Sequence, residues 1–395
     1  MSAVAVTVAP EAPPVALEEL VSVVLPCLNE ADSVGACVRE ALETLAAAGI
    51  AAEVVVVDNG SSDGSPNVAA TAGARVIHEG ARGYGSALRA GINAARGTIV
   101  VMADADWTYD FSKLPRLIEP LLAGDADLVV GSRLDSATRQ TMPMLHRYVG
   151  TPTLSFLVRR AGRRVDINDS QSGYRAFRKQ TATRLALNTS GMEFASEMLI
   201  RAGQLGLRVI EVETGYRERV GDSKLNTFRD GARHAWLIFM LAPELVLVTP
   251  GLVLFALGTL LTVMGFLSPG GVDIGSLRWQ PIFFSTIAVV LGMELSLVGM
   301  VLASRSSLVG EGTHRRYHFA THKRFPGACM TLGGVALLLG LALDFVLFLG
   351  LSTGRGPVTF SLALASTAQS LIIAGGSLAT MGFVLRALAF NQRNL

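Results

Sequence analysis

The C-terminal part of the chain contains four long apolar runs, Leu245–Leu267, Pro281–Ala303, Gly327–Gly350 and Val358–Leu385. Each is long enough to cross a hydrocarbon core of roughly 30 Å. A chain with these runs is expected to place its last 150 or so residues, 245–395, in a membrane as four helices. The overall composition agrees: 50% of residues are hydrophobic, mean hydropathy is +0.43, and only 17% are charged, against roughly 25% in soluble chains. The charges concentrate before Gly231. A soluble domain over residues 21–227 is therefore expected, preceded by a disordered arm (1–20) and followed by an interfacial helix (228–244). In that last segment Arg229, Arg233 and His234 mix with Trp236, Leu237, Phe239 and Leu241, which suits a helix lying on a membrane surface; an inward extension of the first span is the other reading.

Loop charges give an orientation. Arg305, Arg315, Arg316, Lys323 and Arg324 lie between the second and third runs, and Arg386 and Arg393 lie after the fourth. Only Arg278 and Arg355 occupy the other two connections. The positive-inside rule then assigns the soluble domain, the middle loop and the C-terminus to the cytoplasmic side of the cell (inner) membrane. No secretory signal pattern precedes the soluble part. A formal net charge of +2 argues against nucleic acid as a partner. Cys27, Cys37 and Cys329 have neither zinc-type nor disulfide-framework spacing.

The soluble part alternates short apolar strands with helical spacing. Strands are expected at Val21–Pro26, Glu53–Val57, Arg75–His78, Thr98–Met102, Leu128–Val130 and Arg208–Glu213, and helices at Ala31–Ala48, Gly85–Ala95 and about Phe194–Gly206. Such alternation implies an α/β fold with a mostly parallel sheet, in which ligands bind beyond the carboxyl ends of the strands.

The polar clusters stand at those ends. Asp104 and Asp106 close the fourth strand; two carboxylates one residue apart suit Mg²⁺ or Mn²⁺, although the same triplet is also a common solvated turn. Asp58 opens a turn rich in Ser, Asp and Gly, where it can accept hydrogen bonds from a nucleobase or cap a helix. The glycines around Arg82 depart from a dinucleotide fingerprint, because Leu88 takes the third glycine's place; they still suit close approach of a nucleotide. Gly131-Ser132-Arg133 and the loop 217–224 supply cations, and Arg219, Ser223 and Lys224 form a donor set for phosphate oxygens; the loop's other reading is attraction to anionic lipid headgroups. Asp169 lies in a Ser/Gly turn and reads from its type alone as a turn former. Glu294 and Asp344 lie inside apolar runs, where carboxyl groups usually face the bundle interior and bond to a neighbouring helix.

Together, Leu25-Pro26-Cys27-Leu28-Asn29-Glu30, the Val57–Gly64 turn, Asp104-Ala105-Asp106, Gly131-Ser132-Arg133 and Asp169–Arg175 resemble the inverting GT-A glycosyltransferases of family 2. Arg219-Val220-Gly221-Asp222-Ser223-Lys224-Leu225 resembles the polyprenol-phosphate branch, typified by dolichol-phosphate mannosyltransferase, whose bacterial members carry membrane spans. The resemblance covers about Val21–Leu225. It implies a Rossmann-like GT-A domain, a nucleotide-diphosphate sugar donor, a polyprenyl phosphate acceptor and a divalent metal, and leaves homo-oligomer formation open. Pro26, Asn29, Glu30, Asp58, Asp63, Arg82 and Asp104 would line the nucleotide. Asp104 and Asp106 would hold the metal, with Asp106 the surest ligand. Arg133 and Ser172 would meet the acceptor phosphate. Arg219, Ser223 and Lys224 would hold the donor diphosphate, and Asp169 would stand beside the anomeric carbon. Thr108 and Asn168 depart from residues found in some relatives. The rival readings are a processive polysaccharide synthase, whose Gln-x-x-Arg-Trp motif the chain lacks, and an inactive membrane scaffold.

Overall fold

The computed structural model describes residues 20–134, 151–162, 165–220, 227–275, 277–305, 311–352 and 358–391. The arm expected at 1–20 and the phosphate-binding candidates Ser223 and Lys224 thus fall outside the described residues, except for Leu20. The chain divides into two compact units, Met1–Gly231 and Ala232–Leu395.

Unit 1 is built on a seven-stranded sheet of order β3-β2-β1-β4-β6-β5-β7. Its strands are β1 (Val21–Cys27), β2 (Ala52–Asp58), β3 (Arg75–His78), β4 (Ile99–Met102), β5 (Leu128–Ser132), β6 (Arg175–Arg178) and β7 (Val209–Glu213). All pairings are parallel except those of β6, which runs antiparallel to both β4 and β5. β1 and β4 are near-continuous apolar runs because both faces are covered by helices. Helix α1 (Val34–Ala47) buries Val34, Val38, Ala41 and Leu45 on one face, the i, i+4 spacing of an amphipathic helix. Helix α3 (Tyr84–Ala94) lies against the sheet at Gly91, where a Cβ would stand 2.3 Å from Val24 Cγ1.

Four helices are additional to those read from the sequence: α2 (Ser65–Thr71), α4 (Leu114–Leu122), α5 (Thr151–Gly162) and α6 (Lys179–Leu185). The seventh is α7 (Phe194–Gln204). Strand β6 is also additional, and it interrupts an otherwise parallel sheet. Its sequence, Arg-Ala-Phe-Arg, is too short and too charged to carry an apolar strand pattern. Helix α1 starts at Val34, not Ala31: residues 31–33 form a turn, in which the Ala31 N–H donates to Asp63 at 3.0 Å.

Helix α8 (Thr227–Leu241) straddles the division between the units. It ends before Pro243, which cannot donate a helical N–H, and the chain continues through a π-helical turn, Glu244–Val248. In α8, His234, Leu237, Ile238 and Leu241 are buried while Trp236 is 61% exposed and stacks on Phe239.

Unit 2 contains four helices long and apolar enough to cross a membrane: Glu244–Leu267, Ile282–Ser304, Phe325–Gly350 and Leu362–Ala387. They belong to α9 (Thr249–Leu267), α10 (Ile282–Arg305), α12 (Phe325–Ser352) and α13 (Val358–Asn391), with a hairpin, β8 (Val272–Ile274) and β9 (Leu277–Trp279), and a short helix, α11 (Glu311–Arg316), in the connections. α9 packs on α10 and α12 on α13 through small residues; a Cβ on Gly292 would lie 2.3 Å from Phe255 N. Thr286 and Ser366 join α10 to α13 by a 2.6 Å hydroxyl pair. Glu294 accepts a 2.7 Å hydrogen bond from Ser377, the neighbouring-helix bond expected of it. Asp344 departs from expectation: it lies exposed on α12 rather than facing the bundle interior, because α12 packs mainly against α13 alone and leaves the rest of its surface uncovered. All three cysteines are free and buried.

Candidate active site

The loops following β1, β2 and β4 gather at one end of the parallel sheet. Two of the three non-glycine residues with positive φ among the described residues, Asn29 (53°) and Trp107 (69°), lie in these loops. Left-handed backbone at such positions costs energy and persists where surrounding contacts impose it. For Asn29 those contacts are visible: its N–H donates to Ser61 Oγ at 2.9 Å, and its Oδ1 accepts from the Ser62 N–H at 2.7 Å. Ser65 Oγ holds the Glu30 N–H at 2.8 Å. The β1 and β2 loops are thus one interlocked wall, with Pro26 just inside it on β1.

Asp58 terminates β2 and is 5% exposed. Burial disfavours its charge, but hydrogen bonds from Ser61, His78 and the Gly60 N–H outweigh this and hold the carboxyl below the usual carboxylate range. His78 Nδ1 lies 3.1 Å from its Oδ2. The Arg82 guanidinium covers Gly60, where a Cβ would meet Nη2 at 3.2 Å. Asp58, which accepts from the Gly60 N–H at 3.3 Å, and Arg82 thus both border the Gly60 turn. Asp63 serves the wall itself: its oxygens accept from the Ala31 N–H and from Ser65 N–H and Oγ.

Beyond β4, Asp106 is fixed on both oxygens. Oδ1 accepts from the Thr108 N–H (3.1 Å) and hydroxyl (2.5 Å), and Oδ2 faces Arg219 Nη1 at 3.0 Å. Arg219 Nη2 also reaches Glu30 Oε1 at 3.0 Å. Asp104 differs: its Oδ1 is buried without a hydrogen-bond partner. Burial and the neighbouring Asp106 charge push the Asp104 carboxyl up, while Tyr84, Arg133 and Arg219 oppose the rise. A buried carboxylate oxygen lacking a partner is costly unless something compensates it. A hard divalent cation would do so, so the two carboxylates fit Mg²⁺ or Mn²⁺. No group of three or more His, Cys, Asp or Glu side chains able to hold a metal occurs among the described residues, so these two carboxylates are the candidate protein ligands.

On the other side of β6, Arg133 follows β5 and forms a two-point pair with Asp169: Nε to Oδ2 and Nη2 to Oδ1, both 2.8 Å. The Arg133 N–H adds a third contact at 3.1 Å. Asp169 is 0% exposed. Burial opposes its charge, yet Arg133 keeps its carboxyl well below the usual range. The Arg133 guanidinium also lies 5.6 Å from the Tyr216 ring centroid, a favourable cation–π distance. Ser172 is buried, and its hydroxyl accepts from the Tyr174 N–H at 3.2 Å. Arg217, in the basic segment, is committed to Glu40 and Asp110 at 2.7 Å and stacks over Trp107 at 4.7 Å.

The sequence reading did not single out Tyr84, Tyr109, His78 or Glu211. The Tyr84 and Tyr109 hydroxyls line the space beside Asp104 and Gly173. Glu211 alternates with Glu213 along β7, a period-2 acidic pattern that a strand reading exposes on one face.

Comparison with known proteins gives the family. The sequence model described as Glycosyl transferase family 2 matches residues 22–183. A low-salt glycan biosynthesis hexosyltransferase, Agl6, of Haloferax volcanii is 33% identical over 357 residues, covering 89% of this chain and 85% of its own. The chain belongs to glycosyl transferase family 2. It is a glycosyltransferase whose GT-A-type sheet is followed by four membrane-capable helices. A dolichyl-phosphate hexose transferase from the same organism is 36% identical over 184 residues, covering 46% of this chain and 77% of that one. Among solved structures, glucosyl-3-phosphoglycerate synthase from Mycobacterium tuberculosis, in complex with Mn²⁺, uridine-diphosphate-glucose and phosphoglyceric acid, is 26% identical, with a TM-score of 0.47 over 56% of this chain and 79% of its own.

Proposed function

We propose that this family 2 glycosyltransferase moves a sugar from a nucleotide-diphosphate donor onto a polyprenyl phosphate at the cytoplasmic face of the cell membrane, with inversion at the anomeric carbon. The observation that carries this reading is Arg133. It is a cation fixed by Asp169 at the end of β5, across β6 from the carboxylates after β4, in a chain with four membrane-capable helices. A guanidinium so oriented suits a phosphate oxyanion, and a lipid-borne phosphate reaches a membrane-held enzyme at the interface. The name of the dolichyl-phosphate relative supports the same acceptor class.

In this account Asn29, Glu30, Asp58 and Arg82 border the nucleotide, and Asp63 shapes their wall. A divalent cation held by Asp104 and Asp106 would supply positive charge to the donor diphosphate. Arg219, next to Asp106, supplies further charge there, as does Lys224 in the reading from the sequence, with Ser223 a neutral hydrogen-bond donor. An acceptor phosphate oxygen forms the new bond to the anomeric carbon. The carbon–oxygen bond to the donor diphosphate breaks, and its electron pair leaves with the diphosphate. A phosphate monoester is already ionised near neutral pH, so no side chain has to remove a proton. Asp169 accordingly acts through Arg133: it is buried and positions the cation rather than touching the sugar. Ser172 shapes the same loop.

The test is a panel of radiolabelled nucleotide sugars incubated with membranes containing the protein and Mg²⁺, followed by organic extraction. Label in a mild-acid-labile lipid is expected. Label in polymer would point to a processive synthase, and no incorporation from any donor to an inactive scaffold.

A further inference from the structure

The segment Asn168–Gly173, which carries Asp169 and Ser172, belongs to no strand. Its backbone is held largely by side chains from elsewhere in unit 1. The Glu211 carboxylate forks onto two consecutive amides, Oε2 to the Asn168 N–H and Oε1 to the Asp169 N–H, each at 2.9 Å. Ser155 Oγ on α5 accepts from the Ser170 N–H at 3.1 Å, and the Tyr109 hydroxyl from the Gly173 N–H at 2.7 Å. Arg175, wholly buried, donates to the carbonyls of Ser170 and Ser172 at 2.9 Å and to that of Ala195.

Among these supports Glu211 is the one that holds the amide of Asp169 itself. It lies on β7, in register with Val130 of β5, and so stands beside the strand that delivers Arg133. Packing a second carboxylate against the backbone of Asp169 is unfavourable by like-charge repulsion. Two charge-assisted N–H bonds offset that repulsion, and the Arg133 charge neutralises the Asp169 side chain.

We propose that Glu211 is a positioning residue for acceptor binding: it fixes the backbone of Asp169, Asp169 fixes Arg133, and Arg133 presents its remaining donors to the acceptor phosphate. The inference rests on the reading of Arg133 as the acceptor-phosphate group. The order of support runs from β7 to the loop to β5, so removing Glu211 leaves Arg133 in place but free to reorient.

The test measures equilibrium binding of farnesyl phosphate to the full chain in uncharged detergent, by calorimetry, for wild type, Arg133→Ala, Glu211→Gln, Glu211→Ala and the double variant Glu211→Ala/Arg133→Ala. Affinity for Mn²⁺ alone is recorded in parallel as a report on Asp104 and Asp106. Glu211→Gln, nearly isosteric, keeps one amide contact and should weaken binding several-fold; Glu211→Ala should weaken it about tenfold. Mn²⁺ affinity should not change, and in the Arg133→Ala background the Glu211 substitution should add nothing, the non-additivity of residues acting through one contact. Equal further loss in that background, or parallel loss of Mn²⁺ and farnesyl phosphate binding, would show a merely structural role. A loss in Arg133→Ala with none in either Glu211 variant overturns the inference alone. Wild-type binding by Arg133→Ala overturns the acceptor assignment, and the inference with it.

Discussion

Arg219 and Asp106 lie 3.0 Å apart, with the guanidinium on the same carboxylate that is expected to meet the metal. The arginine and a divalent cation therefore compete for Asp106, whereas both favour a bound diphosphate. Arg219→Ala should bind Mn²⁺ more tightly than wild type when no nucleotide is present, yet lose affinity for nucleotide diphosphate in the presence of Mn²⁺ by about one to two orders of magnitude, the usual scale of one charge-assisted contact. Titration of Mn²⁺ by electron paramagnetic resonance, with and without UDP or GDP, reads both. Weaker Mn²⁺ binding in the nucleotide-free variant would remove the competition from this account.

Asp169 and Arg133 form a buried pair, and breaking such a pair leaves an uncompensated charge, at a cost of about 3–5 kcal/mol. Asp169→Asn should lower the thermal stability of unit 1 accordingly near neutral pH. The folded Asp169 carboxyl titrates below its unfolded value, so its contribution is full above the unfolded value, about 3.9, and is lost as pH falls through the lower folded value. The stability gap between wild type and variant should persist from pH 8 to about 5 and narrow only in stronger acid. A gap that vanishes near pH 6 in thermal melts would contradict the pairing.

Much of this site was legible in the sequence because the carboxylates stand where apolar strands stop. β1, β2 and β4 are recognisable as short, largely buried runs, and Asp58, Asp104 and Asp106 stand at or just beyond the ends of β2 and β4. The pairings were not legible. Arg133 finds Asp169 across 36 residues and Glu211 finds the Asp169 amide across 42, and neither contact leaves a local pattern. β6 was hidden for a related reason: its Arg175 is wholly buried, so the strand reads as polar although it runs through the core. Pro115 and Pro120 likewise obscured α4, where Pro115 sits in the first turn and Pro120 near the end of the helix.

In unit 2, Gly292 allows α9 and α10 to touch backbone to backbone. Gly292→Ala places a methyl where Phe255 N stands 2.3 Å away and Gly251 O 2.7 Å away, so the helices must separate. Overpacking of this kind costs about 1–3 kcal/mol. Thermal unfolding of the detergent-solubilised chain should shift down, while Mn²⁺ binding at 20 °C, well below that transition, stays at the wild-type value. An unshifted melting curve would show that the α9–α10 contact is looser than described.

The loop charges predict that reporters fused in Ser268–Arg278 read external, whereas fusions following Lys323 or the C-terminus read cytoplasmic. An internal signal from Ser268–Arg278 would reverse the orientation and remove the catalytic unit from the donor's compartment.

Transfer to a lipid phosphate is tested most directly with purified full-length chain, Mn²⁺, the active nucleotide sugar and two acceptors that differ only in their head: farnesyl phosphate and farnesol. Product mass and anomeric configuration are read by mass spectrometry and nuclear magnetic resonance. The account predicts a sugar-phosphate-farnesyl product of inverted configuration, no transfer to farnesol, and near-complete loss of product in Asp106→Asn. Equal transfer to farnesol, or a product with retained configuration, would contradict it.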